Sequence, residues 1–190
     1  MRTKNPVTSQ RIVDAAYGSF WRSGFTRTSM DDIATRAGVT KRTLYGHFRS
    51  KDDLLAAVLV HYEALVTARL QHIGDRMPSD RNGLIESFFG QLAGWASNTP
   101  RWTGSGITRL AIELGDLPGH PARALARRSK TTTESWLAER LTQARVARPR
   151  HCAREMMLLM EGAMALMLIH GDRDYIDAAA RAAKQLVGRR

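Results

Sequence analysis

The chain has 190 residues, 43% of them hydrophobic and 25% charged, which suits one ordinary domain or two small ones. No run reaches the roughly 18 uncharged apolar residues of a membrane span, the start MRTKNPVTSQ lacks the apolar stretch of a secretory signal, and the lone Cys152 makes neither an internal disulfide nor a cysteine-based metal site; a cytoplasmic protein with no membrane association, metal or cofactor is expected. The net charge of +11 points to a polyanionic partner and is concentrated at one end: residues 1–51 hold ten Lys and Arg against three Asp, the remaining 139 only nineteen against fifteen Asp and Glu.

Apolar spacing is helical nearly throughout, and no alternating strand pattern of useful length occurs, so the fold class is all-α with about nine helices. Ile12, Ala15, Ala16 and Phe20 line one face of a first helix that stops near Ser23-Gly24. In TSMDDIATRAG, Thr28 or Ser29 is placed to cap a second helix of about two turns; Asp31 and Asp32 sit in its first turn, where the helix dipole favours carboxylates, and Gly38 ends it. Thr40 caps a third helix, with Val39 before the cap and Leu44 inside forming a hydrophobic staple. Ser50 with Asp53 opens a long fourth helix whose stripe runs Leu54, Leu55, Val58, Leu59, Tyr62, Leu65 and Val66.

Two short helices around a glycine turn, supported by a preceding helix, form a helix-turn-helix unit, whose second helix enters a DNA major groove. With Leu44 at 0° and about 100° per residue, Phe48 lies near 40°, Arg42 near 160° and Gly46 near 200°, flanked by Tyr45 near 100° and Thr43 near 260°. The outward face is a cation and bare backbone. Gly46 costs about 1 kcal/mol against Ala inside a helix and is intelligible where this face must approach another surface closely. Lys41, Arg42 and Lys51 occupy first turns, where the dipole disfavours cations and nearby phosphates would reverse that penalty.

The stretch SFWRSGFTRTSMDDIATRAGVTKRTLYGHFRSKDDLL resembles the DNA-binding domain of TetR/AcrR-type one-component regulators. Gly24, Phe25, Thr28, Ile33, Ala34, Ala37, Gly38, Val39, Leu44, Tyr45, Phe48, Lys51 and Leu54 match that family's pattern in order, while Arg42 stands where a small residue is usual. The resemblance implies an N-terminal helix-turn-helix DNA-binding domain over 1–51 and a helical ligand-binding and dimerisation domain over 52–190. By position it implies base contacts from Lys41, Arg42 and Tyr45, and phosphate contacts from Thr28, Thr43, His47 and Lys51. Arginine is the commonest reader of guanine, so a G is expected opposite Arg42.

Beyond the fourth helix, loops at GDRMPSDRNG, GDLPGHPA and RVARPR separate helices expected at 82–97, 102–115, 121–146, 150–170 and 173–188. Glu155 to His170 is apolar nearly all round, which predicts burial on every side. One side is expected to pack within its own domain; the resemblance implies that the other, with the final helix, meets a second copy through Met157, Gly162, Ala165 and Leu168. A core helix of a monomer is the alternative. The resemblance also implies a ligand cavity, with Phe88, Phe89, Trp95, Trp102, Ile107, Trp136, Met160 and Met164 as candidate lining. Glu161 either faces a polar or cationic ligand group there or is an Arg-paired carboxylate at an interface.

An enzyme is disfavoured, because the chain has no Glu-x-x-His pair, no Gly-rich phosphate loop after a strand, and no base partner evident for Cys152. The expected function is a homodimeric, ligand-responsive transcriptional regulator, a repressor that binds a two-fold double-stranded operator and is released by a small, largely apolar effector. A ligand-independent architectural DNA binder is the alternative.

Overall fold

The computed structural model describes residues 5–99, 102–115 and 121–188. Among them are nine helices and no strand: α1 Pro6–Ser23, α2 Met30–Ala37, α3 Lys41–His47, α4 Lys51–Gly74, α5 Arg81–Asn98, α6 Gly106–Glu113, α7 Pro121–Gln143, α8 Pro149–His170 and α9 Asp174–Gly188. Most of the loop expected over GDLPGHPA, residues 116–120, lies outside the described residues.

Local chemistry sets the ends of the first three helices. Asn5 caps α1 by accepting from the Val7 amide, with Pro6 in the first turn, where its missing N–H costs nothing. Of the two cap candidates for α2 the structure uses Ser29, in a reciprocal box: the Asp32 amide donates to Ser29 Oγ at 3.1 Å, and the Ser29 amide donates to Asp32 Oδ2 at 3.2 Å. Gly38 ends α2 in the left-handed conformation at φ 61°, which a residue with a Cβ adopts only at a cost. Thr40 then accepts from the Thr43 amide at 3.1 Å and starts α3.

The chain forms two compact units, residues 1–66 with 106–127 and residues 67–105 with 128–190. They do not follow the expected 51/52 division, because Leu54, Leu55, Val58 and Leu59 on the first half of α4 are buried in the core of the first unit. That core also takes Ile12, Ala16 and Phe20 from α1, Ile33 from α2, Leu44 from α3, and Ile107 and Leu110 from α6. The core of the second unit is built from α5, α7, α8 and α9 and contains Phe88, Phe89, Leu137, Met156, Met164, Ile176 and Ala183.

Two helices are shorter than expected. α6 begins at Gly106 rather than 102, because Gly104 takes φ 71° and interrupts the approach. α7 ends at Gln143, just before the turn in which Arg145 stands at φ 56°. No helix among the described residues is long and apolar enough to cross a membrane.

Candidate nucleic-acid interface

α3 is pinned from beneath by Leu44, fully buried, and by Phe48, whose amide donates to the Leu44 carbonyl at 2.9 Å to close the helix. With that side buried, the opposite side is free. Arg42 is exposed and has no hydrogen-bond or ion-pair partner among the described residues. Tyr45 is 44% exposed. A Cβ added at Gly46 would meet nothing within 4 Å, so packing within the chain does not require a glycine there. Lys41 donates to Asp31 Oδ2 at 3.0 Å in an exposed pair; the Asp31 hydrogen bond and charge raise its already high proton affinity, so it stays a cation. Thr43 is half-buried, its hydroxyl 2.8 Å from that of Thr40.

The other three expected phosphate residues are placed differently. Thr28 is 4% exposed, and its hydroxyl donates to the Gly24 carbonyl at 2.7 Å, so the side chain closes the α1–α2 turn instead of meeting solvent. Lys51 donates to the carbonyls of Phe25 at 3.0 Å and Thr28 at 3.1 Å and lies 4.4 Å from the centre of the Phe25 ring. Its ammonium is committed to the same turn. His47 is 9% exposed, beside Phe48. What the structure brings together on one open surface is therefore Lys41, Arg42, Tyr45 and Gly46, with Thr43 at its edge.

The expected effector residues divide between the two units. Ile107 is fully buried in the core of the first unit and is not grouped with the others. In the second unit Phe88 and Phe89 meet edge to face at 5.2 Å and Trp95 and Trp102 at 5.8 Å, with the Arg69 guanidinium 4.8 Å from the Trp95 ring centre. Trp136 and Met160 pack against this core partly buried, and Met164 within it. Glu161 is ion-paired with Lys130, which also donates to Ser105 Oγ at 3.1 Å. One partner of Glu161 is thus a lysine of the same unit.

Of the four expected interface residues Met157 is buried in the core of the second unit, while Gly162, Ala165 and Leu168 are exposed, Leu168 also lying beside Gly104. Within the single chain one side of α8 is covered and the other is open: Leu158 is 70% and Ile169 72% exposed, and Leu166 is also exposed. Leu158, Gly162, Ala165, Leu166 and Ile169 recur at helical spacing on one open stripe.

The sequence model described as "Bacterial regulatory proteins, tetR family" matches residues 12–58, the segment that builds α1 to α3 and the start of α4. Residues 12–58 thus carry the TetR-family sequence pattern. The HTH-type transcriptional regulator TtgR of Pseudomonas putida is 42% identical over 60 residues, 30% of this chain and 29% of that protein. The HTH-type transcriptional regulator UidR of Escherichia coli is 32% identical over 99 residues, 49% of this chain and 50% of that protein. The aligned regions thus span half or less of these curated relatives. Among solved structures, E. coli NemR in its reduced form superposes with a TM-score of 0.85 at 20% identity, covering 96% of this chain and 97% of that one. A TetR regulator from Legionella pneumophila gives 0.81 at 22% identity, covering 98% and 100%. At those identities the likeness shows the TetR fold. Both curated relatives are HTH-type transcriptional regulators.

Sequence reading missed that α6 belongs to the first unit. Arg109 donates to the Trp21 carbonyl at 3.2 Å, and the amides of Phe25 and Thr26 donate to the Glu113 carboxylate at 3.0 and 2.7 Å. The only available signal was the i, i+4 spacing of Arg109 and Glu113, which points to no partner eighty-seven residues away.

Proposed function

We propose that this chain is a TetR-family DNA-binding transcriptional regulator, a repressor that reads a two-fold operator as a homodimer and is released by a small, largely apolar ligand. The observation that carries the reading is the outward face of α3. Unpartnered Arg42 beside the open backbone of Gly46 presents a fork of donors where base edges can approach, and Arg pairs with guanine O6 and N7. Lys41 and Tyr45 flank it, and Thr43 completes the contact to the backbone. Thr28 and Lys51 are left out of the contact set because their side chains are committed to the α1–α2 turn, and His47 because it is 9% exposed.

Dimerisation is supported by the open apolar stripe of α8, a patch that soluble monomers rarely expose. Two copies joined there would present two α3 helices to a two-fold operator. Ligand response is supported by the second unit, where the buried Trp102 Nε1 has no hydrogen-bond partner among the described residues and lies beside the Trp95 ring. An apolar ligand bearing one acceptor would satisfy that donor. Such a regulator works in the cytoplasm.

Selection of duplexes from a randomised library tests the central reading. The wild-type chain is expected to enrich an inverted repeat with a G in each half-site, and Arg42→Ala to lose about 1 to 3 kcal/mol of discrimination at that position alone. No enrichment by the wild type, or an unchanged preference in the variant, overturns it.

A further inference from the structure

The turn between α1 and α2, Gly24 to Thr28, is held from two sides by opposite charges. On one side the Lys51 ammonium takes its carbonyls. On the other the Glu113 carboxylate takes its amides: Phe25 N–H to Oε2 and Thr26 N–H to Oε1, a two-point grip in which each oxygen has its own donor. Gly24 makes the grip possible. A Cβ built there would lie 2.8 Å from Glu113 Oε2, and the backbone at φ 86° disfavours any residue that carries one.

The rest of α6 is fastened along the same end of α1. A Cβ on Gly106 would fall 2.1 Å from Trp21 Cδ1, so the indole lies directly on the helix backbone, and one turn further Arg109 donates to the Trp21 carbonyl. Gly106, Arg109 and Glu113 thus attach α6 at three successive levels. Burial raises the proton affinity of Glu113, but the amides of Thr26 and Phe25 and the charge of Arg109 more than offset it, so the carboxyl stays below its ordinary range and ionised at neutral pH.

We propose that Glu113 is a positioning residue for DNA recognition, the pin through which α6 holds the turn leading into α2 and α3. The proposal rests on the reading of the first unit as a DNA-binding head. It assigns to the α6 end a role that neither the face of α3 nor the family match supplies.

The test uses the full chain carrying Glu113→Gln, which keeps shape and one acceptor but replaces the other with a donor facing an amide. Amide hydrogen exchange at Phe25 and Thr26 is expected to quicken about tenfold, the loss of one charge-assisted bond. Affinity for the selected operator should fall about tenfold while affinity for random duplex, set by phosphates, stays within about twofold. Gly24→Ala, which attacks the same grip from the turn, should lower the operator-to-random ratio in the same direction. Unchanged exchange in Glu113→Gln overturns the pin, and so does faster exchange with an unaltered operator-to-random ratio. A wild-type chain with no preference for any operator would instead overturn the DNA-binding reading, with exchange at the two amides still deciding whether the grip exists.

Discussion

α3 and α8 both leave a face open to solvent, and the two faces are opposite in kind. α3 is a seven-residue helix that presents a cation, a phenol and bare backbone, with its apolar anchor Leu44 fully buried. α8 has twenty-two residues, and its open face presents Leu158, Leu166 and Ile169 around Gly162 and Ala165. A polar face is stable in water and needs a partner only for function. An apolar face that size raises the free energy of the isolated chain, so the proposed second copy would stabilise the structure itself. On the proposed function the first helix meets something charged and removable, the second something apolar and permanent.

The strongest way to break this comparison is to charge the α8 stripe. Ala165→Arg is expected to cost about 3 to 5 kcal/mol of association by stranding a cation in an apolar contact, and so to yield a monomer with an unchanged helical spectrum. Sedimentation or light scattering on both proteins decides it. A dimeric variant would place the contact on another face, and a monomeric wild type would remove the distinction altogether.

Next in size is the anchor beneath α3. Leu44→Ala should lower stability by about 2 to 5 kcal/mol, since a fully buried side chain leaves a cavity under a helix with only two turns of backbone hydrogen bonds. Denaturant unfolding measures the loss, and a change below about 1 kcal/mol would mean that α3 is held chiefly by its caps.

The smallest effect concerns those caps. Ser29→Ala removes one side of the α2 box and should cost about 1 kcal/mol. The same box makes a pH statement. The Ser29 hydroxyl and backbone amide hold the Asp32 carboxyl below its usual value, so the contribution is present above the unfolded pKa and is lost as pH falls through the lower folded one. Melting curves should therefore show the Ser29→Ala penalty undiminished at pH 7 and shrinking below about pH 4. A penalty independent of pH would assign it to helix propensity instead.

Much of the head was legible because its signals are local. Ser29, Asp32, Gly38, Thr40 and Leu44 act on amides and neighbours within five residues, so spacing alone specifies caps, turn and staple, and the same spacing places Arg42 and Gly46 on the outward side. The misplaced residues of the head are those whose partners are distant or compete with solvent. Thr28 and Lys51 look like surface donors in sequence, yet three carbonyls of one turn satisfy them better than water does. In the second half, helices were found from apolar period and loop residues, but the orientation of α8 was not. A sequence apolar on every side carries no mark of which side faces its own core, and Met157 and Leu158, adjacent in the chain, end on opposite sides of that decision.

The sequence by itself determined the helices, their caps and the basic face, because each depends on free-energy terms exchanged within one or two turns. Only the tertiary structure decided that α6 joins the first unit, that Gly24 leaves room for the Glu113 carboxylate, that Lys130 neutralises Glu161, and which stripe of α8 stays open. Those outcomes depend on pairings between residues tens of positions apart, for which many arrangements have similar local cost and only the simultaneous packing of both cores selects one.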